Sequence, residues 1–249
     1  MKKHQPSKVN SLPALLFWGL VWFLAAWALE KPLLLPSPVQ VLRCMGKLAL
    51  TANFWQITLT SIGRILLGLI IGITLGAVLA VLTELSPLLH ALIAPAMTAV
   101  QATPVASFAI LVLIWVQRDF VPVLICCMMA LPVIWSSVSG GIRATDSQLL
   151  EMAEVFRIPL HTRILRIYGP SVLPFFRTAC ASALNLGWKA GIAAEVLTVP
   201  KLSIGRMISE SKLYLLTEEL FAWTLTVILL SLLLKKMILR LLQGRESNA

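Results

Sequence analysis

Apolar runs long enough to cross a bilayer recur through this chain, and they constrain it more than any single motif does. Ser61–Thr83 reads SIGRILLGLIIGITLGAVLAVLT, with one charge, Arg64, near its start. A hydrocarbon core of about 30 Å is crossed by roughly 20 consecutive apolar residues in an α-helix. Within lipid, only helices and closed barrels satisfy every backbone polar group. Comparable runs occupy Ser11–Leu29, Leu88–Val116, Phe120–Ser139, Val172–Leu197, and Leu220–Leu234 with a few more residues. The expected fold is all-α: a polytopic membrane protein with about six transmembrane helices. Only 13% of the 249 residues are charged, against about 25% in a soluble domain. Three parts are expected in order. Residues 1–60 hold a basic tail, the first transmembrane helix and an interfacial amphipathic segment at Val39–Leu50. Residues 61–242 form the transmembrane domain proper, with five helices, and 243–249 a short tail.

The formal net charge of +10 would suit a nucleic-acid-binding domain. Here the basic residues sit between and beside the apolar runs, the pattern of cytoplasmic loops and headgroup contacts, so no nucleic-acid partner is expected. With six spans, Lys2, Lys3, Lys8, Arg143, Arg157, Arg163, Arg166, Lys235, Lys236, Arg240 and Arg245 share one side. The other side holds Lys31, Arg43, Lys47, Lys201, Arg206 and Lys212. The excess places both termini in the cytoplasm. The first run ends in WALEKPLLLP, without a small-x-small cleavage site, and is expected to remain as a helix. Cys44, Cys126, Cys127 and Cys180 show no metal-ligand spacing and read as small apolar residues in helices.

Inside the spans, three patterns stand out. Gly68, Gly72 and Gly76 recur every four residues, giving one helix a smooth face for close approach of another; a subunit interface and packing within the chain fit equally. Pro95 and Pro104 interrupt the third span beside the polar Gln101, Thr103 and Ser107. Such a break at membrane depth is tolerated where protein or a water-filled cavity satisfies the backbone; a structural kink accounts for it as well. The fifth span carries Asn185, Lys189 and Glu195, and charges at that depth face protein or water. Lys189 near a translocation path would favour an anionic solute. Glu195 is a candidate partner for it only if the helix is irregular, as Gly187 and Gly191 would permit, because six residues turn a helix by about 600°.

Between the fourth and fifth spans lies a compact polar segment, 143–170. Thr145 and Gln148 form a capping-box pattern, and Leu149, Leu150, Ala153 and Phe156 repeat on one helical face. Pro159 ends that helix by about Arg157, and a second short helix is expected at Thr162–Tyr168. Two amphipathic helices and a bend suit docking into a groove of a soluble partner, or rest on lipid headgroups.

The segment resembles the cytoplasmic signature of permease subunits of bacterial ABC importers: Glu-Ala-Ala, three residues, Gly, nine residues, Ile-x-Leu-Pro. Here the same spacing reads Glu151-Met152-Ala153, then Arg157, then Ile167-Tyr168-Gly169-Pro170. Met152, Arg157 and Gly169 depart from the pattern. Glycine at the Arg157 position would take a left-handed turn, and Pro159 is the candidate for setting the bend in its place. LPSPVQVL, TSIGRILLGLIIGITLG and LGWKAGIAAEVLTVPKLSIGRMI are similar to the subfamily importing nitrate, taurine and other sulfonates, where Glu195 also stands at a family glutamate. The resemblance implies a coupling helix received by a cytoplasmic ABC ATPase, which would bind ATP and Mg. It also implies an extracytoplasmic solute-binding protein, a homodimer in the inner membrane, and no cofactor or catalysis in this chain. No G-x-x-x-x-G-K-[ST], HExxH or G-x-S-x-G occurs. An ion-gradient-driven secondary transporter is the alternative.

Overall fold

A computed structural model describes residues 11–243; the basic Lys2, Lys3, Lys8 and Arg245 lie outside the described residues. Within them every regular element is helical. They fall into two compact units, one running to Trp55 and including Met207–Val227, the other comprising Gln56–Arg206 with the chain from Ile228 onward. The boundary between them at Trp55 and the division expected between residues 60 and 61 both fall inside one helix, Ala52–Leu85.

The first unit begins with α1, Ser11–Leu29, and α2, Pro38–Ala49. The indole N–H of Trp22 in α1 donates to the Pro36 carbonyl at 3.1 Å. Its ring stacks on Phe221, centroids 6.0 Å apart. Helix α2 starts with a full capping box: the Ser37 N–H donates to Gln40 Oε1 at 2.8 Å, and Ser37 Oγ accepts from the Gln40 N–H. Pro38 sits in the first turn, where its missing N–H costs nothing. Val41 is buried while Arg43 and Lys47 are exposed.

Helix α3 spans Ala52–Leu85, nine residues earlier than the apolar run suggests. Ala52–Thr60 contains no breaker, and Thr51 Oγ1 accepts from the Phe54 N–H, so the helix starts at the first available cap. Next come α4, Pro87–Ala102, and α5, Val105–Val112, bent by 104° at Thr103–Pro104. The third expected span is thus two helices. Pro95 lies inside α4 without ending it; only Pro104, the N-cap of α5, marks the break. Helix α6 runs Val121–Arg143, and α7 covers Ser147–Val155. Helix α8, Leu160–Arg163, leads through a π-helical turn, Ile164–Tyr168, into α9, Gly169–Thr198. Two helices complete the set, α10 at Ile204–Leu213 and α11 at Thr217–Gln243.

By length and composition α3, α6 and Thr217–Met237 of α11 can each cross a membrane, and the bent α4–α5 pair makes up to four. Helix α9 rises about 45 Å at 1.5 Å per residue but carries charged and polar side chains, and much of it is enclosed by the second unit. The glycine stripe of α3 faces α6 of the same chain. A Cβ at Gly72 would lie 2.6 Å from the Cys127 carbonyl and 2.9 Å from the Ala130 Cβ, and one at Gly76 2.7 Å from the Leu131 carbonyl. A Cβ at Gly68 would overlap the Val123 carbonyl. On α9, a Cβ at Gly191 would meet Cys126 Sγ at 2.6 Å and Ile65 Cγ1 at 2.8 Å. Gly187 and Gly191 therefore let α9 close onto α3 and α6, and the helix continues through them unbroken.

Candidate functional site

Besides the glycine stripe of α3, three places hold the residues singled out by sequence: the 143–170 loop, the broken helix, and α9.

The loop is rooted by Arg143, whose guanidinium donates to both Glu84 carboxylate oxygens at 3.0 Å. Helix α7 is capped by Asp146, not Thr145: the Asp146 carboxylate accepts from the Gln148 N–H at 2.9 Å, while Thr145 Oγ1 turns back to the Gly141 carbonyl. A carboxylate one residue closer to the helix also suits its positive end better. At the other end, Arg157 itself adopts the left-handed conformation, φ 50°. The Ile158 N–H reaches back to the Ala153 carbonyl at 2.9 Å, and the Arg157 N–H to Glu154 at 3.0 Å. Those bonds form the Schellman termination usually completed by glycine. The turn keeps its geometry despite the missing glycine, and Pro159 serves as the N-cap of α8. Arg163 fastens the turn from outside, its Nε donating to the Ile158 carbonyl at 2.8 Å and Nη2 to the Ala153 carbonyl at 3.0 Å.

The second short helix does not stand alone. Pro170 and Pro174 lack N–H donors, so the regular hydrogen-bond ladder is interrupted there. The Gly169 N–H bonds five residues back to Ile164, and this widened turn carries the chain into α9, with Pro170 in its first turn. Of the signature positions, Ala153 and Ile167 are buried; Glu151, Met152, Arg157 and Pro170 are exposed. The loop tip presents apolar side chains outward: Val155 is 78% and Phe156 73% exposed.

At the broken helix, Thr103 Oγ1 donates at 2.8 Å to the Ala99 carbonyl, which also accepts the Thr103 N–H at 3.1 Å. Thr103, Phe108 and Met129 border a cavity of about 120 Å³. Gln101 and Ser107 are exposed.

The end of α9 separates the residues that sequence grouped together. Lys189 is exposed and Asn185 half-buried, whereas Glu195 is completely enclosed. Glu195 does not meet Lys189. Its Oε2 accepts from Ser61 Oγ at 2.9 Å and from the Gly205 N–H at 3.2 Å, and Arg64 Nη1 stands 4.0 Å from Oε1. Ser61 Oγ in turn accepts from the Ile204 N–H at 2.9 Å, and Ser203 Oγ from the Arg206 N–H at 3.1 Å. The first three N–H groups of α10, which have no partner within their own helix, are thus satisfied by Ser61, Glu195 and Ser203. A Cβ at Gly205 would overlap the Glu195 Cβ and backbone; glycine is what lets the carboxylate reach. Outside this cap, Arg64 donates to Asp119 Oδ1 at 3.1 Å and to the Lys201 carbonyl at 2.8 Å. Asp119 also accepts from the Lys201 N–H at 2.9 Å. Chemically the arrangement joins helices; no acid–base or metal cluster accompanies it among the described residues.

Sequence reasoning missed Arg163, Ser61, Asp119 and Gly205. Ser203-Ile204-Gly205 carries the signal of a helix start, but nothing local in Ser61 announces a partner 134 residues away.

Residues 68–245 match the family described as "Binding-protein-dependent transport system inner membrane component". The SsuC permease protein of Bacillus subtilis (strain 168), named for aliphatic sulfonates transport, is 25% identical over 76% of this chain and 68% of its own length. The taurine transport system permease protein TauC of Escherichia coli (strain K12) is 25% identical over 90% of this chain and 83% of its own. The bicarbonate transport system permease protein CmpB of Synechococcus elongatus is 26% identical over 61% of this chain and 55% of its own.

Proposed function

Because the chain belongs to the family of binding-protein-dependent transport system inner membrane components, we propose how its parts divide the work of an ABC importer. The chain is a membrane permease and not an enzyme; its family implies an ATPase and a solute-binding protein as partners. In our reading two identical copies form the translocation path, with both termini in the cytoplasm. Each copy offers loop 143–170 to one ATPase, which holds ATP and Mg. Closure of the ATPases draws the two loops together and switches the path from inward- to outward-facing.

The observation that carries this reading is the construction of the loop. Its turn is fixed by backbone bonds to Ala153 and by the Arg163 clamp, while Val155 and Phe156 stand exposed on it. Rigid polar anchoring beneath an exposed apolar tip transmits a push, and it gives a partner groove something to bury. The solute we propose is small and anionic, of the kind for which SsuC, TauC and CmpB are named. Lys189, with its ammonium on an exposed face of α9, is the cation that would lower its barrier; Gln101, Thr103 and Ser107 supply polar contacts at the break. Glu195 holds α10 in place and stays out of the path.

The test is co-purification with the co-expressed ATPase. Phe156→Asp and Glu151→Lys should leave membrane insertion intact and lower the amount of ATPase recovered. Ala153 is a poor choice for this purpose, because it is fully buried and a larger side chain there would disturb the loop itself. Full ATPase recovery with both variants would overturn the docking assignment.

A further inference from the structure

We infer that the cavity between α2 and the start of α11 binds the zwitterionic headgroup of phosphatidylethanolamine, its phosphate on Arg43 and Lys47 and its ammonium on Glu218 and Glu219. The cavity measures about 760 Å³ and lies wholly within the first unit. Arg43 and Lys47 are four residues apart and so share a face of α2. Glu218 and Glu219 open the first turn of α11. The helix dipole accounts for acids at that position. It does not account for two cations lining the same cavity. No ion pair within 4.0 Å joins either cation to either carboxylate, so charges of both signs line one cavity without direct contact. A ligand carrying both signs a few bonds apart completes them.

The setting identifies the source of that ligand. Helix α2 is amphipathic, as helices at a membrane interface are. Trp55 follows it, its indole N–H donating to the Ala49 carbonyl at 2.9 Å while its ring remains exposed. Trp27, at the end of α1, is exposed too, and tryptophans of this kind mark the headgroup level. Leu48 and Leu216 give the cavity an apolar floor for the glycerol end of a lipid. The walls are pinned by the Thr217 hydroxyl, which donates to the Leu33 carbonyl at 2.7 Å, and by stacking of Phe54 on Trp223 at 5.0 Å. A primary ammonium brings three N–H donors to the carboxylates. A choline headgroup brings none, and an anionic glycerol headgroup leaves both carboxylates facing no cation.

The experiment uses the full-length chain purified from micelles containing equal phosphatidylethanolamine, phosphatidylglycerol and phosphatidylcholine, with the retained lipid counted by mass spectrometry. Phosphatidylethanolamine should be enriched about fivefold over either competitor, the scale of one exposed ion pair. Glu218→Gln with Glu219→Gln should bring it to parity with phosphatidylglycerol. Arg43→Gln with Lys47→Gln should lower retention of both, and Arg43→Lys with Lys47→Arg should preserve the selectivity, which separates lost charge from lost fold. Parity in the unaltered chain, or selectivity unchanged by the charge-removing pairs, would overturn the proposal. Tight binding of O-phosphoethanolamine to lipid-depleted protein through the same four side chains would make the occupant a free solute and overturn it equally.

Discussion

Removing the Glu195 carboxylate is the perturbation whose cost the geometry defines best. In Glu195→Ala the Gly205 N–H loses its acceptor with no replacement nearby, which costs about 1–3 kcal/mol for a buried donor. The Ser61 hydroxyl can turn to a carbonyl one turn back on its own helix, so its contribution is smaller. The void left by the carboxymethyl group adds about 1–2 kcal/mol. Arg64 retains Asp119 and the Lys201 and Leu202 carbonyls, so no stranded cation is added. The sum is roughly 3 kcal/mol, which at about 2–4 °C per kcal/mol for a chain of this size lowers the apparent Tm by about 6–12 °C. Glu195→Gln keeps one carbonyl acceptor for Ser61 and Gly205 and places its amide where Oε1 has no hydrogen-bond partner; about 1 kcal/mol is lost. Thermal melting of the detergent-solubilised protein, followed by size-exclusion fluorescence, reads both variants. Melting of Glu195→Ala within about 2 °C of the parent would refute the reasoning. So would abolished uptake in Glu195→Gln with unchanged melting, because Glu195 would then act in the path and not in the cap.

Gly72→Leu should push α3 off α6, since even a Cβ there falls 2.6 Å from a backbone carbonyl; overpacking of this kind costs about 1–3 kcal/mol, and assembled protein recovered in detergent should fall. Arg157→Gly should leave ATPase recovery and coupling intact, because glycine takes φ 50° freely, whereas Arg157→Val should impair both; equal behaviour would show that the turn does not matter. Burial first, then Glu219 and Glu218, raise the pKa of the Cys44 thiol above the ordinary value, with Lys47 opposing. Its maleimide labelling should therefore still be rising at a pH where a free thiol has levelled off, and Glu218→Gln with Glu219→Gln should move the profile to lower pH. Lys189→Met should reduce uptake of an anionic solute with normal expression and ATPase docking; full uptake would mean the ammonium only reaches the interface.

Much of this was legible in the apolar runs. They located α1, α3, α6, α9 and α11 because lipid demands length and continuity, and the Gly68–Gly72–Gly76 spacing located a close helix contact. What escaped depends on groups distant in sequence or on competition between neighbouring residues. Asp146 displaced Thr145 as a cap because both stand at one helix end. Pro104 broke the third span while Pro95 did not, which the two prolines alone could not distinguish. The π turn before Gly169 follows from where Pro170 withholds a donor within a continuous helix, a register effect invisible in side-chain periodicity. Glu195 looked like a partner for Lys189 because the two are near in sequence; its real partners, Ser61 and Gly205, lie on α3 and α10.

The central claim, an ATP-powered permease driven through loop 143–170, is tested most directly in proteoliposomes. The purified permease and ATPase are reconstituted with the solute-binding protein outside, and solute uptake is followed with and without enclosed ATP. Uptake should require ATP, persist after ion gradients are collapsed, and fall with Phe156→Asp while the ATPase still hydrolyses ATP. Uptake driven by an ion gradient in vesicles without ATP, or unaffected by Phe156→Asp, would contradict the account.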